Sequence, residues 1–150
     1  MPDYDDFITR VKELSTIESI GGLLSWDQET MMPPKGGALR AESLAFLSGL
    51  AHSRLTDPAM GELLEKLEDT DLDEGQAANV REVRHAYDKA TKLPAELVEE
   101  IARHKSLSLR VWQEARAGDD FPKFQPALEK MVDLQCQAAE HYGYDDNIYD

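Results

Sequence analysis

Cysteine is almost missing from this chain. Cys136 stands alone, so no intrachain disulfide can form, and the composition fits a reducing compartment. Its surroundings, Leu134-Gln135-Cys136-Gln137-Ala138, follow a helical pattern without a cationic neighbour, which makes it a small core or semi-buried residue, not a nucleophile. Long apolar runs are missing too, none approaching the ~20 residues of a membrane span. The opening Met1-Pro2-Asp3-Tyr4-Asp5-Asp6 is acidic where a secretory signal is basic and then apolar, so the cytoplasm is the expected location. Positive charge is scarce: Lys+Arg 16 against Asp+Glu 30 leave a formal net charge of -14. That excess repels phosphate backbones and anionic membranes, and argues against nucleic acid or membrane as a partner. Repeats, low-complexity tracts and period-two alternation are also lacking. What remains is a globular composition, 41% hydrophobic and 7% aromatic.

The apolar residues recur at three-and-four spacing, which predicts an all-α fold of about six helices in antiparallel hairpins. The first helix starts near Asp3 with Asp3 as its cap, and Tyr4, Phe7, Val11, Leu14, Ile17, Ile20 and Leu24 form its stripe. Gly21-Gly22 implies a close helix–helix contact. The second helix carries Leu39, Leu44, Leu47, Leu50 and Leu55. Thr56-Asp57-Pro58 caps a short third helix, Ala59 to Leu67, and an acidic linker of residues 68–75 follows. The fourth runs from about Glu74 to Lys92. Pro94 opens the fifth, whose buried side is Leu97, Val98, Ile101, Val111, Trp112 and Ala115, interrupted by His104-Lys105-Ser106; such a break faces either a wet cleft or solvent. Gly118 stops it, and Asp120-Phe121-Pro122 starts the sixth, with Phe124, Leu128, Met131, Gln135, Ala138 and Tyr142 buried and Gly143 ending it.

The chain is organised around the corner between the first two helices. Pro33 and Pro34 fit neither helix interior, since each lacks an N–H and the first forces its predecessor out of the α region. Gly36 and Gly37 then allow a sharp turn. In the structural reading, Trp26 packs the corner onto the helices and Asp27 caps the free N–H groups of the loop. Arg40 and Arg116 either pair with acidic neighbours or meet a substrate carboxylate.

Metal-ligand spacings are thin. Glu82-Val83-Arg84-His85 is a single E-x-x-H, and Glu100 with His104 is an i, i+4 pair; without a second E-x-x-H and further inward glutamates, both read as solvent-facing or ion-paired. The four histidines are followed by Ser53, Ala86, Lys105 and Tyr142, so none begins an HExxH zinc helix. Lys35-Gly36-Gly37 does not have the order of a phosphate loop.

Gly22-Leu23-Leu24-Ser25-Trp26-Asp27-Gln28-Glu29-Thr30-Met31-Met32-Pro33-Pro34, followed by Gly36 and Arg40-Ala41-Glu42, resembles the amino-terminal signature of the carboxypeptidase Taq family of HExxH zinc metallocarboxypeptidases. The resemblance continues at Leu93-Pro94, Trp112-Gln113-Glu114-Ala115-Arg116, Asp120-Phe121 with Phe124, Pro126 and Leu128, and Gly143-Tyr144 with Tyr149-Asp150. It implies that residues 1–150 form an amino-terminal helical lid or wall of a larger helical metallopeptidase, with no catalytic or metal-ligating residue of its own. It also implies zinc bound by ligands outside this chain, a peptide substrate shortened from its carboxy terminus, and a homodimer. By the same resemblance Trp26, Asp27, Gln28 and Arg40 are candidates for lining the substrate groove. Two other readings stay open: a free-standing helical interaction module and, less well supported, a helical metal-binding bundle.

Overall fold

A computed structural model describes residues 1–148; Tyr149 and Asp150, the last two residues of the sequence resemblance, lie outside the described residues. Six helices follow one another: α1 (Pro2–Thr30), α2 (Gly37–Leu55), α3 (Pro58–Glu68), α4 (Glu74–Ala90), α5 (Ala95–Ala117) and α6 (Phe121–Tyr142), with one 3₁₀ turn at Pro34–Gly36. No strand occurs among the described residues, as the periodicity predicts. Aspartates start three of the helices. Asp57 Oδ1 accepts from the Ala59 N–H at 2.8 Å and Asp120 Oδ1 from the Lys123 N–H at 3.2 Å. Asp73 builds a full capping box, accepting from the Gln76 N–H while its own N–H donates to Gln76 Oε1. Each such cap is worth about 1 kcal/mol. Asp3 does not cap α1: Pro2 occupies the first helical position, where its missing N–H costs nothing, and the helix begins one residue earlier than expected.

Two apolar cores hold these helices. The larger joins Phe7 and Leu14 of α1, Met60, Leu63, Leu64 and Leu67 of α3, and Val80 of α4. The smaller joins Leu97 of α5 to Leu134 and Ala138 of α6. Ile20 is exposed, so the apolar stripe of α1 leaves the core after Ile17. On α2 the expected leucine stripe is displaced: Leu39 is exposed, and the buried line is Ala41, Ala45 and Gly49. Small residues let α2 lie against both α1 and α5, and α2 with α5 is the most extensive pairing in the fold. Leu134 takes the buried place assigned to Gln135, which is exposed, and Trp112 is exposed on α5.

Three glycine readings change. Gly21 and Gly22 sit in open space, with no neighbour that a Cβ would meet within 4 Å, so they are not a helix–helix contact in this structure. Gly36 and Gly37 keep helical backbone angles, and the corner is made by the extended Pro33 (φ -58°, ψ 145°) leading into Pro34. At the end of α5 the left-handed residue is Asp119 (φ 48°), not Gly118, whereas Gly143 has φ 79°. Close approach occurs elsewhere: a Cβ on Gly61 would lie 2.5 Å from the Tyr87 hydroxyl and 3.0 Å from the ring carbon that bears it.

These environments set opposite expectations for one substitution. Gly21→Ala and Gly22→Ala should each raise stability by up to about 1 kcal/mol, the difference in helix propensity. Gly61→Ala gains the same propensity but must push the Tyr87 ring, at a cost of about 1–3 kcal/mol, and should lower the melting temperature. Thermal melts followed by circular dichroism, with Tyr87→Phe as a partial rescue of Gly61→Ala, check both.

Candidate functional site

The corner is braced by polar groups. Arg40, one turn into α2, reaches back to α1: Nη1 donates to the Leu24 carbonyl and Nη2 to Asp27 Oδ2 at 2.5 Å. The planar guanidinium serves two acceptors at once, which an ammonium on a flexible stem does poorly. Asp27 is thus an ion-pair partner and not the cap of the loop's N–H groups; its backbone carbonyl, however, accepts from both the Met31 and Met32 N–H groups and closes the helix. Gln28, one residue on, makes a reciprocal pair with α5. Its Nε2 donates to the Ser106 carbonyl and its Oε1 accepts from Ser106 Oγ, both at 2.8 Å. Ser106 is the one buried polar residue among those described, and this pairing satisfies it. Arg110 Nη1 donates to the Pro34 carbonyl, and Arg103 grips Glu42 through two hydrogen bonds at 2.8 and 3.2 Å.

The break at His104-Lys105-Ser106 therefore faces a polar seam and a cleft. His104 Nε2 lies 2.8 Å from the Ala127 carbonyl of α6, joining α5 to α6. Beyond it opens a cleft of about 440 Å³ whose apolar wall includes Leu44, Leu109, Trp112, Phe124, Leu128 and Met131, and whose polar side includes Ser25, Gln28, Glu29, Lys105, Ser106 and Ser108. A second hollow of about 230 Å³ shares Trp112 and Phe124 and adds Arg116, Asp119, Asp120 and Phe121. The first volume falls in the ~300–1,000 Å³ range of ligand clefts. Ser108 Oγ is buried without a hydrogen-bond partner, an arrangement that costs about 1–3 kcal/mol.

Of the four candidate groove residues, only Gln28 lines this cleft. Arg40 and Asp27 do not line it; they pair with each other at 2.5 Å. Trp26 is 57% exposed and does not anchor the corner; with Leu23 and Met31 it stands in solvent beyond the cleft rim. Ser106 lies in the break that sequence reading marked as facing a wet cleft or solvent, and Ser108 is the residue it missed. The signal was the polar interruption of the α5 stripe, legible only once α1 lies across it.

The metal-like spacings are accounted for. Glu82 pairs with Arg81, His85 is exposed, Glu100 pairs with Lys130 at 2.8 Å, and His104 Nε2 meets the Ala127 carbonyl. No group of three His, Cys, Asp or Glu side chains converges among the described residues. As built, the site can bind and orient a chain segment through one apolar wall and several hydrogen-bonding groups.

These helices form an all-α unit with a cleft between α1, α5 and α6, and comparison with known proteins says which class of protein carries it. The sequence profile described as carboxypeptidase Taq (M32) metallopeptidase matches residues 6–150. Thermostable carboxypeptidase 1 of Thermus thermophilus is 40% identical over 141 residues, covering 91% of this chain and 28% of the relative. Thermostable carboxypeptidase 1 of Pyrococcus furiosus is 33% identical over 144 residues, covering 95% and 29%. Among solved structures, that of the Pyrococcus furiosus carboxypeptidase superposes with a TM-score of 0.76 at 32% identity, over 100% of this chain and 30% of the other. The crystal structure of BsuCP reaches 0.95 at 27% identity, over 99% and 30%. This chain belongs to the M32 carboxypeptidase Taq family. It spans less than a third of the length of the relatives it matches, corresponding to an amino-terminal region of them.

Two expectations follow from the geometry. Arg40→Met removes a charged hydrogen bond and a carbonyl contact from a largely covered guanidinium, and should cost about 1–3 kcal/mol. Arg40→Lys should recover only part of that, as denaturant unfolding will show. The second concerns acid. Hydrogen bonds from Arg103, Lys130 and Lys123 hold the Glu42, Glu100 and Glu114 carboxyls below their ordinary range. A carboxylate held low contributes stability above its unfolded pKa and loses it as pH falls through the folded one. The melting temperature should therefore fall between neutral pH and about pH 3, and Glu100→Gln with Glu114→Gln should flatten that fall slightly, because both carboxyls are exposed.

Proposed function

We propose that this chain is the amino-terminal part of a zinc-dependent metallocarboxypeptidase that removes residues from the carboxy termini of peptides, and that its corner shapes the substrate groove. The observation that carries this reading is the family match over residues 6–150, joined to the location of the signature residues. Gln28 and Glu29 turn into the apolar-walled cleft towards α5, while Trp26 of the same signature stands exposed and outside its lining. The Taq signature thus leaves its Trp26 face open to a substrate segment, and the Arg40–Asp27 pair keeps the corner rigid behind it. In this reading the zinc ligands and the water-activating Glu come from an HExxH helix elsewhere in the enzyme. The working form is a cytoplasmic homodimer. Residues 1–150 act as lid and wall.

The test is made in the complete enzyme. Asp27→Ala should cost about 1–3 kcal/mol of stability by stranding Arg40 and should also lower kcat/KM for a blocked dipeptide in the enzyme that stays folded; unchanged kinetics in that folded enzyme would leave the corner purely structural. The isolated 150 residues, given zinc or cobalt, should release no carboxy-terminal amino acid. Metal-dependent turnover above a mock purification would overturn this reading.

A further inference from the structure

Two sets of large apolar side chains stand in water, and they differ in what lies beneath them. One follows α1 into the corner: Ile20, Leu23, Trp26 and Met31. No buried polar atom lacking a partner accompanies it among the described residues. The other borders the cleft between α5 and the amino-terminal half of α6: Trp112, Phe121 and Leu128. Here the Ser108 hydroxyl is shut from solvent with nothing to donate to. α6 turns the Phe124-Ala127-Leu128-Met131 side of its first half into this cleft, and only its second half, through Leu134 and Ala138, is buried against α5. A half-helix with an apolar face, opposite a helix with an orphan hydroxyl, lacks one packing layer.

We propose that this α5–α6 cleft is the docking surface for the polypeptide that lies outside the matched region in the relatives, whereas the Trp26 side of the corner stays open for substrate. The inference rests on the proposed function only for the identity of the occupant. Length argues for that occupant: the chain superposes on BsuCP with a TM-score of 0.95 while covering 30% of it, so the greater part of such a fold has to pack on surfaces this region offers. The cleft itself selects neither sign, since Lys105 and Glu29 both line it and neither takes part in an ion pair among the described residues. It suits an uncharged apolar segment with a backbone carbonyl over Ser108.

The experiment replaces the matching region of Thermus thermophilus thermostable carboxypeptidase 1 with this chain, as one polypeptide and, in parallel, as two co-produced polypeptides. Oxidative footprinting read by mass spectrometry compares each with the isolated chain. Trp112, Phe121 and Leu128 should be protected about tenfold in the assembled protein, as expected of a well-packed interface centre, and Trp26 about twofold or less. Ser108→Ala should change sign with context. It raises the melting temperature of the isolated chain by removing an unsatisfied hydroxyl, and lowers that of the assembled protein by removing a hydrogen bond. Leu128→Glu should leave the isolated chain folded and abolish the protection. Protection of Trp26 with Trp112 still open, protection of Trp112 in the isolated chain that rises with its concentration, or no protection in either format would each overturn the proposal. An assembled protein with the cleft protected but no peptide hydrolysis would count against the carboxypeptidase reading and leave the docking surface standing.

Discussion

The close approach of α2 to α5 is the constraint on which the other contacts depend. At Gly49 an added Cβ would fall 2.3 Å from Glu99 Oε1 and 2.8 Å from Glu99 Cγ, so the α5 side chain already fills the space a larger residue would need. Ala41 and Ala45 continue the same line towards the corner, each almost fully buried. With α2 held this near, Glu42 meets Arg103, and the far end of α1 comes within hydrogen-bonding distance of Ser106. A leucine stripe in the same place would have set the axes farther apart, since interaxial distances of ~8–10 Å follow the size of the contacting side chains.

The molecule is consequently built in two manners. Its α3–α4 end is held by large apolar side chains, where dispersion and the hydrophobic effect act without regard to direction. Its corner end is held by small residues, an Arg–Asp pair, a Gln–Ser pair and proline, all of which act only in one geometry. Directional contacts fix positions more narrowly than greasy ones, and they leave the large apolar groups nearby uncommitted.

Helix number and type were legible in the sequence because each break carries its own chemistry: Asp57-Pro58, the acidic linker before Glu74, Pro94, Asp120 with Pro122, and Gly143. Family membership was legible in the run from Gly22 to Pro34 for a different reason, as no rule of packing asks for Trp-Asp-Gln there. The buried faces were read less well. A stripe drawn from leucines misses a helix that packs through alanine and glycine, as α2 does, and it buries Trp112 and Ile20 because their size suggests a core. The cleft was legible only in halves: the break at His104-Lys105-Ser106 offered a wet cleft or solvent and Gln28 was a groove candidate, but 78 residues separate Gln28 from Ser106 and no pattern joins them. Asp27 was read as a cap because aspartate caps so often; its partner Arg40 lies across a proline corner that pattern reading does not fold.

The Arg40 clasp has a consequence for the order in which the chain acquires its shape. Its acceptors lie only 13 and 16 positions back along the sequence, whereas the Gln28–Ser106 pair waits for 78. Short separations close quickly, because the entropy lost in forming a loop grows with its length. During synthesis the α1–α2 hairpin can therefore lock soon after Arg40 leaves the ribosome, while α5 and α6 are still unmade. The corner then serves as a preset angle onto which later helices are added, and an error there would be copied into everything that follows.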